Sequence, residues 1–425
     1  MNLEKLYNLF LKSTGVCTDT RQLKKGNLYI ALKGDHFDGN KFAQSAIEKG
    51  AIAAIVDEEN DAIKTSKIYL VEDGLVFLQL LAQHHRRQLK TPIISLTGSN
   101  GKTTTKELIA TCLSQKFTVA YTQGNLNNHI GVPLTLLKIT KEHDFAIVEM
   151  GANHQKEIEL LCAIAEPDYG YITNFGKAHL EGFGGFEGVV KGKSELYDYL
   201  RAHNKTAIVN LDDPIQIEKS EGLDQITFGF DTEAQYNFKQ NSKHGYAGIS
   251  YHGKELESHL SGAYNETNIA AAVTIALYFG IEIEKIQKGL SQYIPKINRS
   301  QEIEKSGFLI LLDAYNANPS SMEVALSNFS QKSGTKTAIL GDMFELGISS
   351  AKEHQRISDL AASLNFEQIF LIGENFHHVQ APSSILKFKT REDYIKYLKN
   401  NPPKTENILI KGSRGMALEK ILEFI

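Results

Sequence analysis

Two hydrophobic rhythms run through the chain. Short unbroken apolar runs predict buried strands: "NLYIAL" and "AIAAIV" near the start, "IISL", "FAIVEM", "YGYITNF" and "TAIVNL" in the middle, and "FLILLDAY", "KTAILGD", "QIFLIG" and "NILIKG" towards the end. Between them, apolar residues recur at three- and four-residue spacing. That spacing predicts helices in "MNLEKLYNLFLKSTG", in "LAQHHRRQLK", from about Lys102 to Gln115, in "KEIELLCAIA", in "GVVKGKSELYDYL" and in "ETNIAAAVTIALYFG", the last closed by Gly280. The segment "DGNKFAQSAIEKG" reads as turn, helix and glycine stop. Strands alternating with helices imply crossover connections, hence an α/β fold with mostly parallel sheets. From Tyr236 to Leu260 the pattern is short and polar, with Gly245, Gly248 and Gly253, and predicts antiparallel hairpins appended to the central sheet. Breaks near residue 85 and at "YIPKINRS" divide the chain into three domains, 1–84, 85–296 and 297–425.

Composition narrows the class. Of 425 residues, 42% are hydrophobic and 23% charged, as in an ordinary globular protein. Forty-six basic side chains against fifty acidic ones give a net charge of -4, without the basic footprint of a nucleic-acid binder. Cys17, Cys112 and Cys162 are far apart and lack CxxC spacing, which excludes a disulfide framework and fits a reducing cytoplasm. The N-terminus has no unbroken apolar core or small-residue cleavage site, and runs such as "AAVTIALYFGI" fall short of the roughly 18–20 residues that span a bilayer. No membrane insertion is expected.

The first chemistry appears at "SLTGSNGKTTTKELI", Ser95 to Ile109. A phosphate loop of the form G-x-x-x-x-G-K-[ST] would place Gly101, Lys102 and Thr103 in register, but its first glycine falls on Leu96. The physics survives the mismatch. A strand ends at Thr97, Gly98 and Gly101 let the backbone turn, and the helix from Lys102 directs its positive end at an anion. Lys102 supplies charge for terminal phosphates and Thr103 a hydroxyl for Mg²⁺. An ordinary glycine-rich turn is the plain alternative. Downstream, "DFAIVEMGAN" ends a strand on Glu149, placed as a parallel neighbour delivers a carboxylate to Mg²⁺, and "ITNFGKAHLEGFG" carries His179 at another strand end. A polar strand end and a surface histidine are the respective alternatives.

In "GVVKGKSELYDYL", Val190, Lys193, Leu196, Tyr197 and Leu200 share one helical face, while Lys191 points nearly opposite. Lys193 is therefore in the apolar stripe. Either its stem packs and its head snorkels to water, or it is drawn into a partly buried site. There, desolvation and a nearby cation favour the neutral amine, which can take up CO₂ as a carbamate and bind the metal.

With these residues in place the chain resembles the Mur ligases of bacterial cell-wall synthesis. The resemblance rests on "TGSNGKTTTKE", "GNLNNHIGVPLTLL", "EMGANHQKEI", "ITNFGKAHLEGFG", "KSELY", "YNETNIAAA" and "LLDAYNANPSS", spanning Thr97 to Ser321. It extends to both ends through "GVCTDTRQLKKGNLYIALKGDHFDGNKF", "GDMFELG" and "KGSRGMALE". "GNLNN", "AHLEGFG" and "YNANP" narrow it to the branch that joins D-alanyl-D-alanine to UDP-N-acetylmuramoyl-tripeptide.

The resemblance implies a UDP-sugar-binding α/β domain at 1–84, a central ATP-binding P-loop domain at 85–296, and a C-terminal Rossmann-like domain at 297–425 that binds the dipeptide and closes over the nucleotide. Lys102, Lys193 and His179 would be the catalytic side chains. Gly98, Ser99, Asn100, Gly101, Lys102, Thr103 and Thr104 would cradle the ATP phosphates. Thr103 and Glu149 would hold one Mg²⁺ ion, and His179 with carbamylated Lys193 a second. Asn268 would contact adenine, with a helix-entry polar group as the alternative. Arg299 and Asp313 would reach the nucleotide from the hinge and third domain, although "NRSQ" departs from the family's commonest wording and Asp313 also suits a strand-end turn. Thr20, Arg21, Phe37, Asp38 and Gly39 would contact the UDP-sugar, and Asn125 and Asn127 would line the peptide's path. A cytoplasmic monomer is expected.

The implied reaction phosphorylates a peptide carboxylate to an acyl phosphate, which an amine then attacks. Rivals are another amide ligase of the superfamily, such as the one adding diaminopimelate or lysine, a folylpolyglutamate synthetase, whose loop usually reads GKGS, or a P-loop switch that hydrolyses ATP only to change shape.

Overall fold

The computed structural model describes residues 3–58, 66–230, 232–243, 245–295 and 298–425, so the expected boundary between 296 and 297 lies outside the described residues. By compactness the chain divides into two interleaved units, residues 1–96, 117–151 and 157–170 in one, and 97–116, 152–156 and 171–425 in the other.

The first unit opens with the expected helix, Leu3–Leu11, and a parallel sheet in the order Val16–Cys17, Leu28–Ile30, Ala53–Val56 and Ile68–Leu70. Its core packs Tyr29, Ala54 and Val56 against Ala43 and Ala46, the first of these at the start of the helix Ala43–Glu48. Small side chains on that helix let it lie close to the sheet. The helix Gly74–Gln88 begins where the Asp73 carboxylate accepts from Val76 N at 2.8 Å, a side-chain cap on otherwise unsatisfied donors.

Seven strands form a sheet in the order Tyr236–Asn237, Asp224–Gly229, Thr206–Asn210, Tyr169–Ile172, Ile93–Thr97, Phe145–Glu149 and Val119–Tyr121. All five residues of Ile93–Thr97 and of Phe145–Glu149 are buried, as unbroken apolar strands covered on both faces should be. Leu96, where the phosphate-loop pattern asks for glycine, is a fully buried strand residue paired with Glu149. The loop is shorter because the strand continues through this position to Thr97.

In the second unit the predicted hairpins form their own antiparallel sheet, Lys239–Gln240, Tyr246–Tyr251 and Lys254–Ser261. Tyr236–Asn237 departs from that expectation, pairing parallel with Asp224–Gly229 at the sheet's edge. The C-terminal sheet runs Gln301–Lys305, Phe308–Asp313, Asn407–Lys411, Lys336–Gly341, Gln368–Ile372 and Ile385–Phe388. Its first pair is antiparallel and the remaining pairs are parallel. Two of its strands escape the hydrophobic pattern. Gln301–Lys305 alternates charge with one apolar residue, and Ile385–Phe388 is a half-exposed edge.

The three cysteines are buried and in no disulfide, and burial pushes the Cys112 thiol up to about 12. No helix among the described residues is long and apolar enough to cross a membrane.

Candidate active site

The phosphate loop is held in shape by contacts that leave no room for side chains at its glycines. Gly98 has φ +138°, and a Cβ there would sit 2.0 Å from Thr173 Oγ1; Gly101 has φ +79° and would press one within 2.7 Å of Asn268 Oδ1. Both positions require glycine on two grounds, conformation and space. Helix Lys102–Leu113 starts directly after. Lys102 Nζ donates to Gly98 O at 2.6 Å, so its ammonium lies over the loop. Thr103 is the second residue of this helix and partly buried. Thr104 hydrogen-bonds Tyr293, whose phenol is pushed up to about 12 by burial first and by Glu107 second.

The loop after strand Tyr169–Ile172 braces this turn. Ser99 N donates to Asn174 O at 3.1 Å, Ser99 Oγ donates to Gly176 O at 2.8 Å, and Asn100 N donates to Asn174 Oδ1 at 3.1 Å. Asn100 O accepts from Thr173 Oγ1 at 2.6 Å and from Asn174 Nδ2 at 3.0 Å. The C-terminal α/β segment meets the same loops. Asn318 Nδ2 donates to Asn100 Oδ1 at 2.8 Å, Lys177 N donates to Ser320 Oγ at 3.0 Å, and Lys177 Nζ pairs with Glu353 at 2.7 Å.

Glu149 sits buried at the end of its strand, where Asn127 Nδ2 donates to Oε1 at 2.8 Å and Thr122 Oγ1 accepts from its backbone N at 3.0 Å. Asn127 also closes on the turn that follows, since Gly151 N donates to Asn127 O at 2.7 Å. Glu149 and Asn127 are thus brought together, while Asn125 is exposed beside Gly124.

His179 occupies a left-handed conformation, φ +53°. Its Nδ1 hydrogen-bonds Glu345, which is itself at φ +61° and whose carboxyl the imidazole holds below its ordinary value. Two non-glycine residues in that region within one contact store strain of the kind found at functional sites. Lys193 is 1% exposed, so its head does not snorkel to water. Nζ donates to Ala152 O at 3.1 Å and lies 5.0 Å from the centre of the Phe183 ring. Phe183 joins the two residues, because its N donates to His179 O at 3.1 Å and a Cβ on Gly192 would collide with its ring at 2.5 Å.

Asn268 is buried, with Nδ2 donating to Asn265 Oδ1 at 2.9 Å and Oδ1 accepting from Thr105 Oγ1 at 3.1 Å, which places its amide against the phosphate-loop helix. The Arg299 guanidinium stacks on Tyr315 at 3.6 Å. Asp313, the last residue of strand Phe308–Asp313, pairs with buried Lys411 and accepts from Ser300 N at 3.2 Å, which ties the backbone next to Arg299 to the C-terminal sheet.

In the first unit, Arg21 forks onto Asp19 with a side chain 87% exposed, and that pairing draws the Asp19 carboxyl down to about 2. Thr20 gives its carbonyl to Lys49 Nζ at 3.0 Å. Phe37 stacks on Phe42 with ring centres 5.5 Å apart, Asp38 caps the turn beginning at Gly39, and a Cβ on Gly39 would fall 2.7 Å from Leu32 backbone. Lys33, His36, Phe37, Asp38 and Lys41 line a shallow concavity of about 480 Å³.

Among the described residues no cluster of three or more His, Cys, Asp or Glu side chains is arranged to hold a metal by itself. A hydroxyl such as that of Thr103 and a carboxylate such as that of Glu149 are each hard oxygens of the kind Mg²⁺ accepts together with phosphates and water. The brace formed by Thr173, Asn174 and Gly176, and the docking residues Asn318, Ser320, Glu345 and Glu353, are absent from the sequence-derived site. "NPS" after a strand, a cap followed by proline at the first helical position, is the signal that marks Asn318.

Family models match residues 12–86 (Mur ligase family, catalytic domain), 96–276 (Mur ligase middle domain) and 298–414 (Mur ligase, glutamate ligase domain). The chain is 34% identical to the UDP-N-acetylmuramoyl-tripeptide--D-alanyl-D-alanine ligase of Bacillus subtilis, over 96% of this chain and 92% of that protein. It superposes on crystalline MurF from Acinetobacter baumannii with a TM-score of 0.88 and 32% identity, covering 99% and 98% of the two chains. MurF ligase from Thermotoga maritima, solved in complex with ADP, matches with a TM-score of 0.84 and 28% identity over 98% and 97%.

Proposed function

The chain belongs to the Mur ligase family, and on that premise we propose that it joins D-alanyl-D-alanine to the C-terminal carboxylate of UDP-N-acetylmuramoyl-tripeptide, with ATP, in peptidoglycan precursor synthesis. The observation that carries this reading is the glycine-hinged turn into helix Lys102–Leu113, set in a chain related along nearly its whole length to ligases of that reaction.

A carboxylate is a poor electrophile towards an amine at neutral pH, and transfer of the γ-phosphoryl group converts it into an acyl phosphate with phosphate as leaving group. The loop Gly98–Thr104 holds the ATP phosphates through backbone N–H groups, the dipole of helix Lys102–Leu113 and the Lys102 ammonium. Thr103 and Glu149 would hold one Mg²⁺ ion, and His179 with Lys193, carried as a carbamate, would hold a second; ions bound there would offset the charge of the phosphoryl group and the incoming carboxylate. Asn127 fixes the Glu149 carboxylate, and Phe183 fixes Lys193 relative to His179. Asn268 shapes the base of the loop, while Arg299 and Asp313 approach the nucleotide from the C-terminal segment. The dipeptide amine then attacks the acyl carbon and phosphate leaves. Exclusion of water protects the acyl phosphate, which the docking of the C-terminal segment on loop 174–182 serves.

In the same reading the chain has domains 1–84, 85–296 and 297–425. The first binds the UDP-sugar through Thr20, Arg21, Phe37, Asp38 and Gly39, and Asn125 and Asn127 line the peptide's path. The protein works as a cytoplasmic monomer, away from nucleic acid. ADP release measured with UDP-N-acetylmuramoyl-tripeptide, with and without D-alanyl-D-alanine, tests the proposal. Sustained release only with both substrates supports it; release that ignores both identifies a switch.

A further inference from the structure

Asn318 does two jobs with one amide. It caps helix Pro319–Ser330, where its Oδ1 accepts from Ser321 N at 2.9 Å and its backbone N donates to Ser321 Oγ at 3.1 Å. With the oxygen committed to the cap, the rotamer is set, and Nδ2 is directed onto Asn100 Oδ1 in the phosphate loop at 2.8 Å. Serine, threonine and aspartate cap helices about as well, but among the good caps only asparagine also keeps an N–H donor. Asn318 is 7% exposed, so this bond is shielded from competing water.

The receiving residue is a node. The Asn100 backbone is clamped at both N and O by Asn174 and Thr173, so the bond from Asn318 supplies the contact that links the loop to the C-terminal segment. A neighbouring contact, Lys177 N to Ser320 Oγ at 3.0 Å, comes from the same helix start. The start of helix Pro319–Ser330 is therefore registered directly on Asn100, between Ser99 and Gly101.

We propose that Asn318 is a positioning residue for phosphoryl transfer: its amide couples docking of the C-terminal segment to the geometry of the phosphate loop. The inference rests on the loop being the ATP site. ATP can bind the loop before docking, whereas transfer needs the docked arrangement, so the contact acts on kcat rather than on KM for ATP.

The test uses the full-length enzyme with ATP, UDP-N-acetylmuramoyl-tripeptide and D-alanyl-D-alanine. Asn318→Ser keeps the helix cap but is too short to reach Asn100. It is expected to lower kcat about tenfold, leave KM for ATP within about twofold, and lower the thermal midpoint less than Asn318→Ala does. Asn318→Ala loses cap and bridge together; it is expected to match the serine variant in kcat while unfolding at lower temperature. In an Asn100→Ala background the serine substitution should cost less than about twofold, because its partner is already gone. Wild-type kcat in Asn318→Ser, or the same loss with and without Asn100, overturns the inference. Lys102→Ala run alongside separates the two claims. If it abolishes turnover while Asn318→Ser is normal, only the coupling fails; if it turns over ATP, the loop assignment fails.

Discussion

The phosphate loop and the loops at Thr20–Arg21 and Phe37–Gly39 are both read as ligand sites, yet they are built in opposite ways. The first is backbone clamped by backbone and amides: two glycines at positive φ, braced by Thr173, Asn174, Gly176 and Asn318. The second presents side chains, with Arg21 exposed and forked onto its neighbour Asp19, and Phe37 half out in solvent. Phosphoryl transfer is chiefly positioning and electrostatics, so the fold sets that geometry before substrate arrives. Recognition of a large, polar sugar nucleotide can instead be left to side chains that settle on the ligand. Substitutions in the first region should therefore act on rate and stability, and those in the second on substrate affinity.

The largest effect belongs to Lys102. Lys102→Ala should cut substrate-dependent ADP release roughly a thousandfold with an unchanged fold by circular dichroism, since in the proposed reaction it removes the charge that meets the transferring group. Lys193→Ala should lower ligation about a hundredfold, and added short carboxylic acids should restore part of it by occupying the space of the carbamate. Activity untouched by the substitution would end the carbamate role. Gly98→Ala tests pre-building itself: with φ +138° and Thr173 Oγ1 2.0 Å from the new Cβ, unfolding should cost about 3 kcal/mol less, seen in denaturant midpoints.

On the open side, Arg21→Ala should raise KM for the UDP substrate about tenfold and leave kcat and the thermal midpoint in place. A shift in stability as large as that of Gly98→Ala would erase the contrast. The smallest effect is in pH. Burial alone would push the Glu353 carboxyl up, but Lys177 and Arg356 outweigh it and hold it below the ordinary 4.5. A carboxylate lowered on folding stabilises above its unfolded value and loses that contribution as pH falls through the folded one. Between pH 5 and more acidic solution, the wild-type thermal midpoint should therefore fall more steeply than that of Glu353→Gln.

The same contrast explains what could be read from the chain alone. Strand–turn–helix at Ile93–Leu113 is legible because it depends on a local apolar run, two glycines and a lysine in fixed order. Lys193 is legible because helical spacing alone puts it among Val190, Leu196, Tyr197 and Leu200, and the structure buries it. The brace at Thr173–Gly176 lies about seventy residues from the loop it holds, and Glu345 some 166 from His179, distances over which no local periodicity carries information. The strand Gln301–Lys305 is hidden for another reason: its pairing is supplied by Phe308–Asp313, while its own side chains read as a polar loop.

The direct test of the central claim follows an oxygen atom. UDP-N-acetylmuramoyl-tripeptide carrying ¹⁸O in its C-terminal carboxylate is turned over with ATP and D-alanyl-D-alanine, and the released phosphate is weighed by mass spectrometry. If the carboxylate takes the γ-phosphoryl group, one ¹⁸O leaves with each phosphate. Phosphate free of the label, formed at the same rate as the amide product, would contradict the acyl phosphate.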